Sequence, residues 1–275
     1  MKLDYTFHSH TYRCNHASGD IPDYLEVAIK NGLKIYGVSD HVFLPGVIEP
    51  HTRGNYELLD GYIGAYKSAK AKYGNDVKMY LGFECEYSDL FLNYYKYLLK
   101  DRGIDYLICG QHNTFNSDKS VYNYFNNGKE GLVRLKDDII SAMKSGLFLY
   151  IAHPDIVFQF CDKVDDFFAS LGDEIIDAAI KYDAVLEINR HGLIRNRYPK
   201  HSKYVSYPCD YFWNKVSKTN IRVVVGGDYH SPIEIEDQQA SIDLEALIKR
   251  NNIHLSNIED IYQEYQNRLK TLGIR

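Results

Sequence analysis

Histidine and carboxylate side chains recur just after short apolar segments of this chain, at positions where they could bind metal ions. A His-x-His pair and a third histidine follow the first segment, and an Asp-x-His pair follows the last. Seven of the 11 histidines belong to this pattern, together with two acidic residues. The candidate ligands are His8, His10, His16, His41, Glu84, His112, His153, Asp228 and His230. Neutral imidazole and carboxylate form the ligand set of zinc, iron and manganese.

This set of candidate ligands is too large for a single ion. A catalytic zinc takes about three protein ligands and keeps one position for water. The set therefore fits three divalent ions, with Glu84 free to bridge two of them. Two carboxylates neutralise only part of the charge of three such ions, so we expect the site to attract a phosphate dianion.

Strand-length apolar runs, rich in Val, Ile, Leu, Tyr and Phe, alternate with longer segments of helical periodicity. The runs cover residues 4–7, 35–39, 78–84, 106–110, 148–152, 184–188 and 222–227. Helices are predicted over residues 22–32, 55–73, 132–143, 173–181, 211–216, 244–249 and 257–272. This alternation is typical of βα units around a parallel sheet, and seven such units predict a closed or nearly closed barrel. A doubly wound open sheet is the alternative, although no GxGxxG motif follows a strand.

A barrel would bring together ligands that are far apart in the sequence. The carboxyl ends of all parallel strands meet at one face of a barrel, which is where active sites lie. Because side chains alternate along a strand, His8 should lie beside His10, and Asp228 beside His230. Asp40 and Asp155 each adjoin a ligand histidine or follow one closely. We expect them either to orient imidazoles or to cap loops.

The composition bounds the class of protein. The chain has 275 residues, 45% of them hydrophobic, and a formal net charge of −5, so we predict one domain over residues 1–275 and no large surface for nucleic acid. No signal peptide and no apolar run of the roughly 20 residues that a membrane span needs are evident, so we expect a cytoplasmic protein. The five cysteines form no CxxC pair, which indicates reduced thiols. Oligomeric state is not predicted by the sequence.

The ordered ligand set resembles the PHP (polymerase and histidinol phosphatase) superfamily over nearly the whole chain. That resemblance implies a distorted (β/α)7 TIM-like barrel with a trinuclear metal site. By carry-over, one ion would be bound by His8, His10, Glu84 and Asp228, a second by Glu84, His112 and His153, and a third by His16, His41 and His230. Within the superfamily, the segment Leu186-Glu187-Ile188-Asn189, followed by Gly192, Arg195 and Tyr198-Pro199, is most similar to histidinol-phosphate phosphatases.

The resemblance implies hydrolysis of histidinol phosphate, in histidine biosynthesis, or of a similar small phosphate monoester. A hydroxide bridging two metal ions would attack phosphorus, with Glu84, Asp228 and His230 at the reacting centre. Arg195 matches a family arginine that contacts the substrate phosphate. Arg53, Arg190 and His191 are further candidates for substrate binding. Two departures bear on the substrate: Arg190 and His191 stand where small residues are expected, and the segment 111–114 differs from the usual form.

Three other functions compete with this interpretation. A PHP-type nuclease or phosphodiesterase would share the metal chemistry but should show a basic groove with stacking aromatic rings. An amidohydrolase also begins with His-x-His, but that family uses a lysine as the metal bridge, where Glu84 stands here. A non-enzymatic metal-binding protein would need a closed structural site, whereas this ligand set leaves room for water.

Overall fold

The computed structural model describes residues 1–201 and 203–275. In these residues the strands are β1 Tyr5–Thr6, β2 Ile35–Val38, β3 Lys78–Cys85, β4 Tyr106–Cys109, β5 Thr114–Phe115, β6 Val121–Tyr122, β7 Leu186–Asn189 and β8 Val223–Gly226. β1 to β4 pair in order as a parallel sheet, and β7 pairs in parallel with β8. β5 and β6 form a small antiparallel hairpin outside the barrel sheet.

Single bridges join the two parallel sheets into a ring. Ile151 makes parallel bridges to Cys109 on one side and Leu186 on the other, so it occupies the fifth position of the barrel. Ser9 bridges Tyr229 in parallel, and the amide N–H of His10 donates to the Tyr229 carbonyl at 2.8 Å. The seven-stranded, distorted TIM-like barrel that the sequence predicts is thereby confirmed, although its fifth strand is reduced to this bridge.

The helices pack outside the barrel. They are α1 Ile21–Lys30, α2 Leu59–Tyr73, α3 Leu92–Asp101, α4 Gly128–Ser145, α5 Asp166–Lys181, α6 Arg190–Arg195, α7 Asp210–Val216, α8 Gln238–Asn251 and α9 Ile258–Thr271. Asp20 begins α1 with a capping box completed by Asp23. None of the helices in the described residues combines the length and apolar character that crossing a membrane requires.

A tyrosine fills the barrel below the polar face. Tyr106 is fully buried, and its hydroxyl donates to the carbonyl oxygens of Phe7 at 2.8 Å and Val38 at 3.2 Å. Glycines on the neighbouring strands leave the space for its ring, since a Cβ on Gly82 would lie 2.4 Å from the ring and one on Gly37 would lie 2.4 Å from the hydroxyl. The interior is thus closed at this level, and the polar side chains collect above it.

Candidate metal centre

All nine predicted ligands meet at the carboxyl end of the barrel. His8 and His10 follow β1, His41 follows β2, and Glu84 lies in β3. The other members come from the loops after β1, β4, the fifth barrel position and β8. Their donor atoms form overlapping groups within 4.8 Å of one another, which include His16–His41–His230, His8–Glu84–His153, His8–His10–Asp228 and His10–His41–Glu84. The barrel therefore assembles the clusters that the sequence predicts.

Glu84 lies between the imidazoles, and its two oxygens face different histidines. Its Oε2 is 3.4 Å from Nε2 of His8, 3.4 Å from Nε2 of His10 and 3.1 Å from Nδ1 of His41. The carboxylate is almost completely buried and belongs to a β-strand, so its position is fixed by the backbone. An oxygen surrounded in this way suits a carboxylate that is shared between cations.

The second oxygen of Glu84 faces the other side of the barrel mouth. Oε1 is 2.8 Å from Nε2 of His153 and 3.7 Å from Nε2 of His112. The backbone beside it must be glycine, because a Cβ on Gly110 would lie 1.7 Å from this oxygen. Gly110 is therefore part of the site, although it has no side chain to bind anything.

Two histidines at the outer edge present nitrogens directly to each other. Nε2 of His16 and Nε2 of His230 are 2.9 Å apart. Nδ1 of His16 lies 2.9 Å from the Cys14 carbonyl, and Nδ1 of His230 lies 3.0 Å from the Asp228 carbonyl. If each Nδ1 carries the proton that it donates to a carbonyl, both Nε2 atoms are acceptors that repel each other. A cation near both nitrogens removes this conflict, as in other sites where carbonyls orient ligating imidazoles.

Several polar atoms of this cluster are buried without a hydrogen-bond partner. They include Nε2 of His8, Nδ1 of His10, Nδ1 of His41, Oε2 of Glu84 and Nδ1 of His153. Buried polar groups are normally paired, so a concentration of unpaired ones requires an explanation. Because most of these atoms face the same small volume and have free lone pairs, bound divalent metal provides it. The residues present therefore fit a metal centre.

Glu84 and His230 have the charge states that metal ligands require. Burial alone would raise the pKa of Glu84, but the charges of His8, His112 and His41 hold it well below its ordinary value. Burial together with the neighbouring His10 lowers the pKa of His230 well below its usual range. The carboxylate is thus ionised and this imidazole neutral at ordinary pH, as coordination requires.

Two of the predicted ligand residues have backbone conformations that residues with a side chain rarely adopt. His153 has φ of 36° and Asp228 has φ of 50°, both in the left-handed region. Such strain costs of order 1–3 kcal/mol per residue and persists where the surrounding structure imposes it. Here it turns both side chains toward the centre at the point where the barrel strands end.

A second buried carboxylate, Glu187, supports the ligands from below. Its Oε2 is 2.8 Å from Nδ1 of His8, so it holds the ring with Nε2 turned toward Glu84. Sequence reasoning noted Glu187 at a strand end but assigned it no role. Alternation along β7 is the signal that could have found it, since Glu187 and Asn189 share a face.

Asp40 and Asp155, which were considered as residues that orient imidazoles or cap loops, both cap loops. Asp40 accepts from the backbone N–H of Thr11 at 2.6 Å. Asp155 accepts from the N–H of Cys209 at 2.7 Å and from the indole of Trp213 at 3.0 Å. The loop-capping alternative therefore describes both residues, and they shape the loops on which the ligands stand.

Of the residues predicted to bind substrate, His191 lies beside the centre, and Arg195 ends the same short helix. The ring of His191 is 5.0 Å from that of His230, and its Nδ1 is 3.4 Å from Oε2 of Glu234. Arg195 ends α6, where its guanidinium donates to the side-chain oxygen of Gln159. Both side chains are partly exposed.

The structure corrects the assignment of Arg190 as a substrate-binding residue. Its side chain is buried, with 2% exposure. Its guanidinium donates to the carbonyls of Glu234 and Asp237, each at 2.6 Å, and to Ser241 Oγ at 3.3 Å. These contacts fix the loop before α8 and leave Arg190 a structural residue.

Arg53 is likewise a structural residue rather than a substrate ligand. It is 1% exposed, and its guanidinium donates to Oε1 of Glu86 at 2.6 Å and to the Val42 carbonyl at 3.0 Å. Glu86 also lies 3.7 Å from Nδ1 of His112. Arg53 therefore neutralises a buried carboxylate behind the metal centre. Sequence alone could not separate it from an arginine that faces solvent.

Replacement of Arg53 by methionine should destabilise the fold by about 3–5 kcal/mol, because Glu86 would remain as an unpaired buried charge. Urea unfolding of the metal-free protein measures this loss. The double variant Arg53→Met/Glu86→Gln should recover most of it. Unchanged stability in the single variant, with a raised KM for a phosphate ester, would instead restore the substrate-binding role.

The sequence and the fold were compared with known proteins. The PHP domain family matches residues 6–191. A curated relative from Deinococcus radiodurans, named "Probable histidinol-phosphatase", is 25% identical over 233 residues, which cover 83% of this chain and 86% of the relative.

Two solved structures share the fold. A proposed histidinol phosphatase from Listeria monocytogenes superposes with a TM-score of 0.68 at 16% identity, covering 86% of this chain and 99% of that one. Histidinol phosphate phosphatase from Lactococcus lactis, complexed with zinc, L-histidinol and phosphate, superposes with a TM-score of 0.65 at 17% identity, covering 92% and 95%. Both likenesses establish the barrel fold.

Proposed function

We propose that this chain, which belongs to the PHP domain family, is a metal-dependent phosphatase that hydrolyses a small phosphate monoester. The observation that carries the proposal is the placement of Glu84, a buried carboxylate within 4 Å of five imidazoles at the mouth of the barrel. Imidazoles clustered around an ionised carboxylate form the ligand set of divalent cations such as zinc, iron and manganese. Bound there, divalent ions would supply Lewis acidity for activating water and for stabilising phosphate oxygens.

We assign the ligands to three ions, which are zinc, iron or manganese. One set is His8, His10, Glu84 and Asp228, the second is Glu84, His112 and His153, and the third is His16, His41 and His230. The short contacts within each set support this division, for example 3.0 Å between Nε2 of His10 and Oδ1 of Asp228. Glu84, Asp228 and His230 would border the reacting phosphate.

Histidinol phosphate is the substrate that we propose first. The support comes from the relative in Deinococcus radiodurans that bears this activity in its name and from the structure that contains histidinol and phosphate. In this chain, Arg195 and His191 would hold the phosphate and the organic part of the substrate. A guanidinium suits a phosphate because it donates two parallel hydrogen bonds to its oxygens.

The test is release of inorganic phosphate from a substrate panel by zinc- or manganese-loaded protein. The panel contains histidinol phosphate, a sugar phosphate, phosphotyrosine and a phosphodiester. We expect the highest kcat/KM for histidinol phosphate and loss of turnover after chelation. Turnover of the diester alone would establish a phosphodiesterase, and no turnover of any ester by metal-loaded protein would contradict the proposal.

Replacement of Arg195 by alanine should raise KM for the phosphate ester by about 10- to 100-fold, since a charge-assisted hydrogen bond contributes roughly 1.5–3 kcal/mol. Steady-state kinetics at saturating metal measure the change. Arg197 provides the matched control, because it lies on the same loop but pairs with Asp237. Equal KM values for the Arg195→Ala variant and the wild type would exclude Arg195 from the phosphate site.

A further inference from the structure

Asn189 lies between the metal centre and the helix that carries the proposed substrate-binding residues. It ends β7, precedes α6 and is 1% exposed. Its side-chain nitrogen donates to Oδ2 of Asp228 at 2.9 Å and to Oε1 of Glu187 at 3.2 Å. Its side-chain oxygen accepts from the backbone N–H of Gly192 at 2.8 Å. Both donors and the acceptor of the amide are thus in use.

The two carboxylates bound by this amide each hold one member of the His-x-His pair. Asp228 Oδ1 lies 3.0 Å from Nε2 of His10, and Glu187 Oε2 lies 2.8 Å from Nδ1 of His8. All of these atoms are in or next to the buried ligand cluster. The amide therefore fixes how two acidic side chains present themselves to the proposed metal site.

The other end of Asn189 fixes the start of α6. Gly192 belongs to the first turn of this helix, and the Asn189 oxygen caps that turn. Helix α6 has only six residues, Arg190–Arg195, so its first turn sets the direction of nearly all of it. His191 lies in that turn, and Arg195 ends the helix.

We propose that Asn189 is a positioning residue that couples metal binding to the placement of the phosphate-binding side chains of α6. The identification of zinc and phosphate as the bound groups rests on the proposed function, whereas the hydrogen bonds of Asn189 do not. Among side chains of this size, an amide meets the demands of the position, because it donates twice and accepts once. A carboxylate would cap α6 equally well but would face Asp228 and Glu187 with a like charge.

The variant Asn189→Asp separates the two contacts, because it keeps the helix cap and removes both donors. We expect its zinc affinity, measured by competition with a chromophoric chelator, to fall about 10- to 100-fold, as is usual when groups that orient metal ligands are lost. Calorimetric affinity of the zinc-saturated protein for inorganic phosphate should fall about tenfold or more. Asn257→Asp is the matched control, since Asn257 caps the distant helix α9.

Three outcomes are informative. Zinc affinity of Asn189→Asp within twofold of the wild type would overturn the inference. Weaker zinc binding with unchanged phosphate affinity at saturating zinc would overturn the coupling to α6. A wild-type protein that binds zinc but not phosphate would contradict the proposed function, while the zinc measurement would still decide the role of Asn189. If circular dichroism shows that Asn189→Asp does not fold, Asn189→Ser replaces it, because serine caps the helix without adding charge. We expect the zinc affinity of Asn189→Ser to be severalfold below that of the wild type. An unchanged zinc affinity would contradict the inference.

Discussion

Glu84→Gln should reduce turnover of a phosphate monoester by about a thousandfold or more and should lower the bound metal per chain. The carboxylate contacts imidazoles through both oxygens, so an amide would turn an N–H toward atoms that need an acceptor or a cation. Loss of the ligand that we propose to be shared would weaken binding of the ions on both sides and would remove the electrostatic arrangement on which the proposed reaction depends. Metal analysis of the purified variant and initial-rate kinetics at saturating metal measure both effects.

The control for this variant is Glu57→Gln, which removes an exposed carboxylate from a short helical turn before α2. It should bind metal and turn over substrate as the wild type does. Normal metal content with normal turnover in Glu84→Gln would contradict the placement of the reacting centre around this residue.

Gly110→Ala should inactivate the protein although it adds only a methyl group. The new Cβ would lie 1.7 Å from Oε1, 2.4 Å from Cδ and 2.7 Å from Cγ of Glu84, so the carboxylate must leave its position. We expect loss of metal and at least a hundredfold lower turnover, because displacing a catalytic group by about 1 Å can reduce the rate by that factor. The cost in folding should be smaller, about 1–3 kcal/mol, as for other overpacked sites.

Gly61→Ala is the matched control for the glycine variant. Gly61 lies in α2, where a Cβ would meet nothing within 4 Å, so alanine should stabilise the helix by about 0.5–1 kcal/mol without changing turnover. Thermal unfolding and kinetics on both variants separate the two effects. A Gly110→Ala variant with wild-type metal content would show that the carboxylate can be accommodated elsewhere.

The sequence predicted that these nine side chains converge because polar residues at the strand ends of a parallel barrel follow a simple rule. Most of them stand at or just after the carboxyl end of a strand, and apolar runs mark those ends clearly, as with His41 after β2 and Asp228 after β8. Convergence then follows from the barrel itself. The family resemblance and the alternation along strands pointed to the same face, and the structure brings all nine side chains together there.

Elements with weak local signals were missed. Helix α3 is rich in tyrosine, which has a modest helix propensity, and α6 is too short to show periodicity. The hairpin of β5 and β6 has only two residues in each strand. The fifth barrel strand was predicted over residues 148–152. Its bridges are confined to Ile151, but backbone hydrogen bonds at Leu149, Tyr150 and Ala152 also join this segment to β4 and its flanking residues.

The partners of arginines and carboxylates also lay beyond sequence reasoning. Arg53 and Arg195 look alike in sequence, yet one neutralises buried Glu86 while the other is partly exposed at the end of α6. The distinction depends on which loops pack against each side chain, and those contacts come from distant parts of the chain. The same holds for Glu187, whose support of His8 joins residues 179 positions apart.

The most direct test of the account is reconstitution of the metal-free protein. Protein stripped by a chelator and then dialysed should be folded but inactive toward histidinol phosphate, and added zinc or manganese should restore turnover, saturating near three ions per chain. Full activity of protein shown by elemental analysis to contain no metal would contradict a metal-dependent phosphatase at this site. Saturation at fewer ions would contradict the assignment of three.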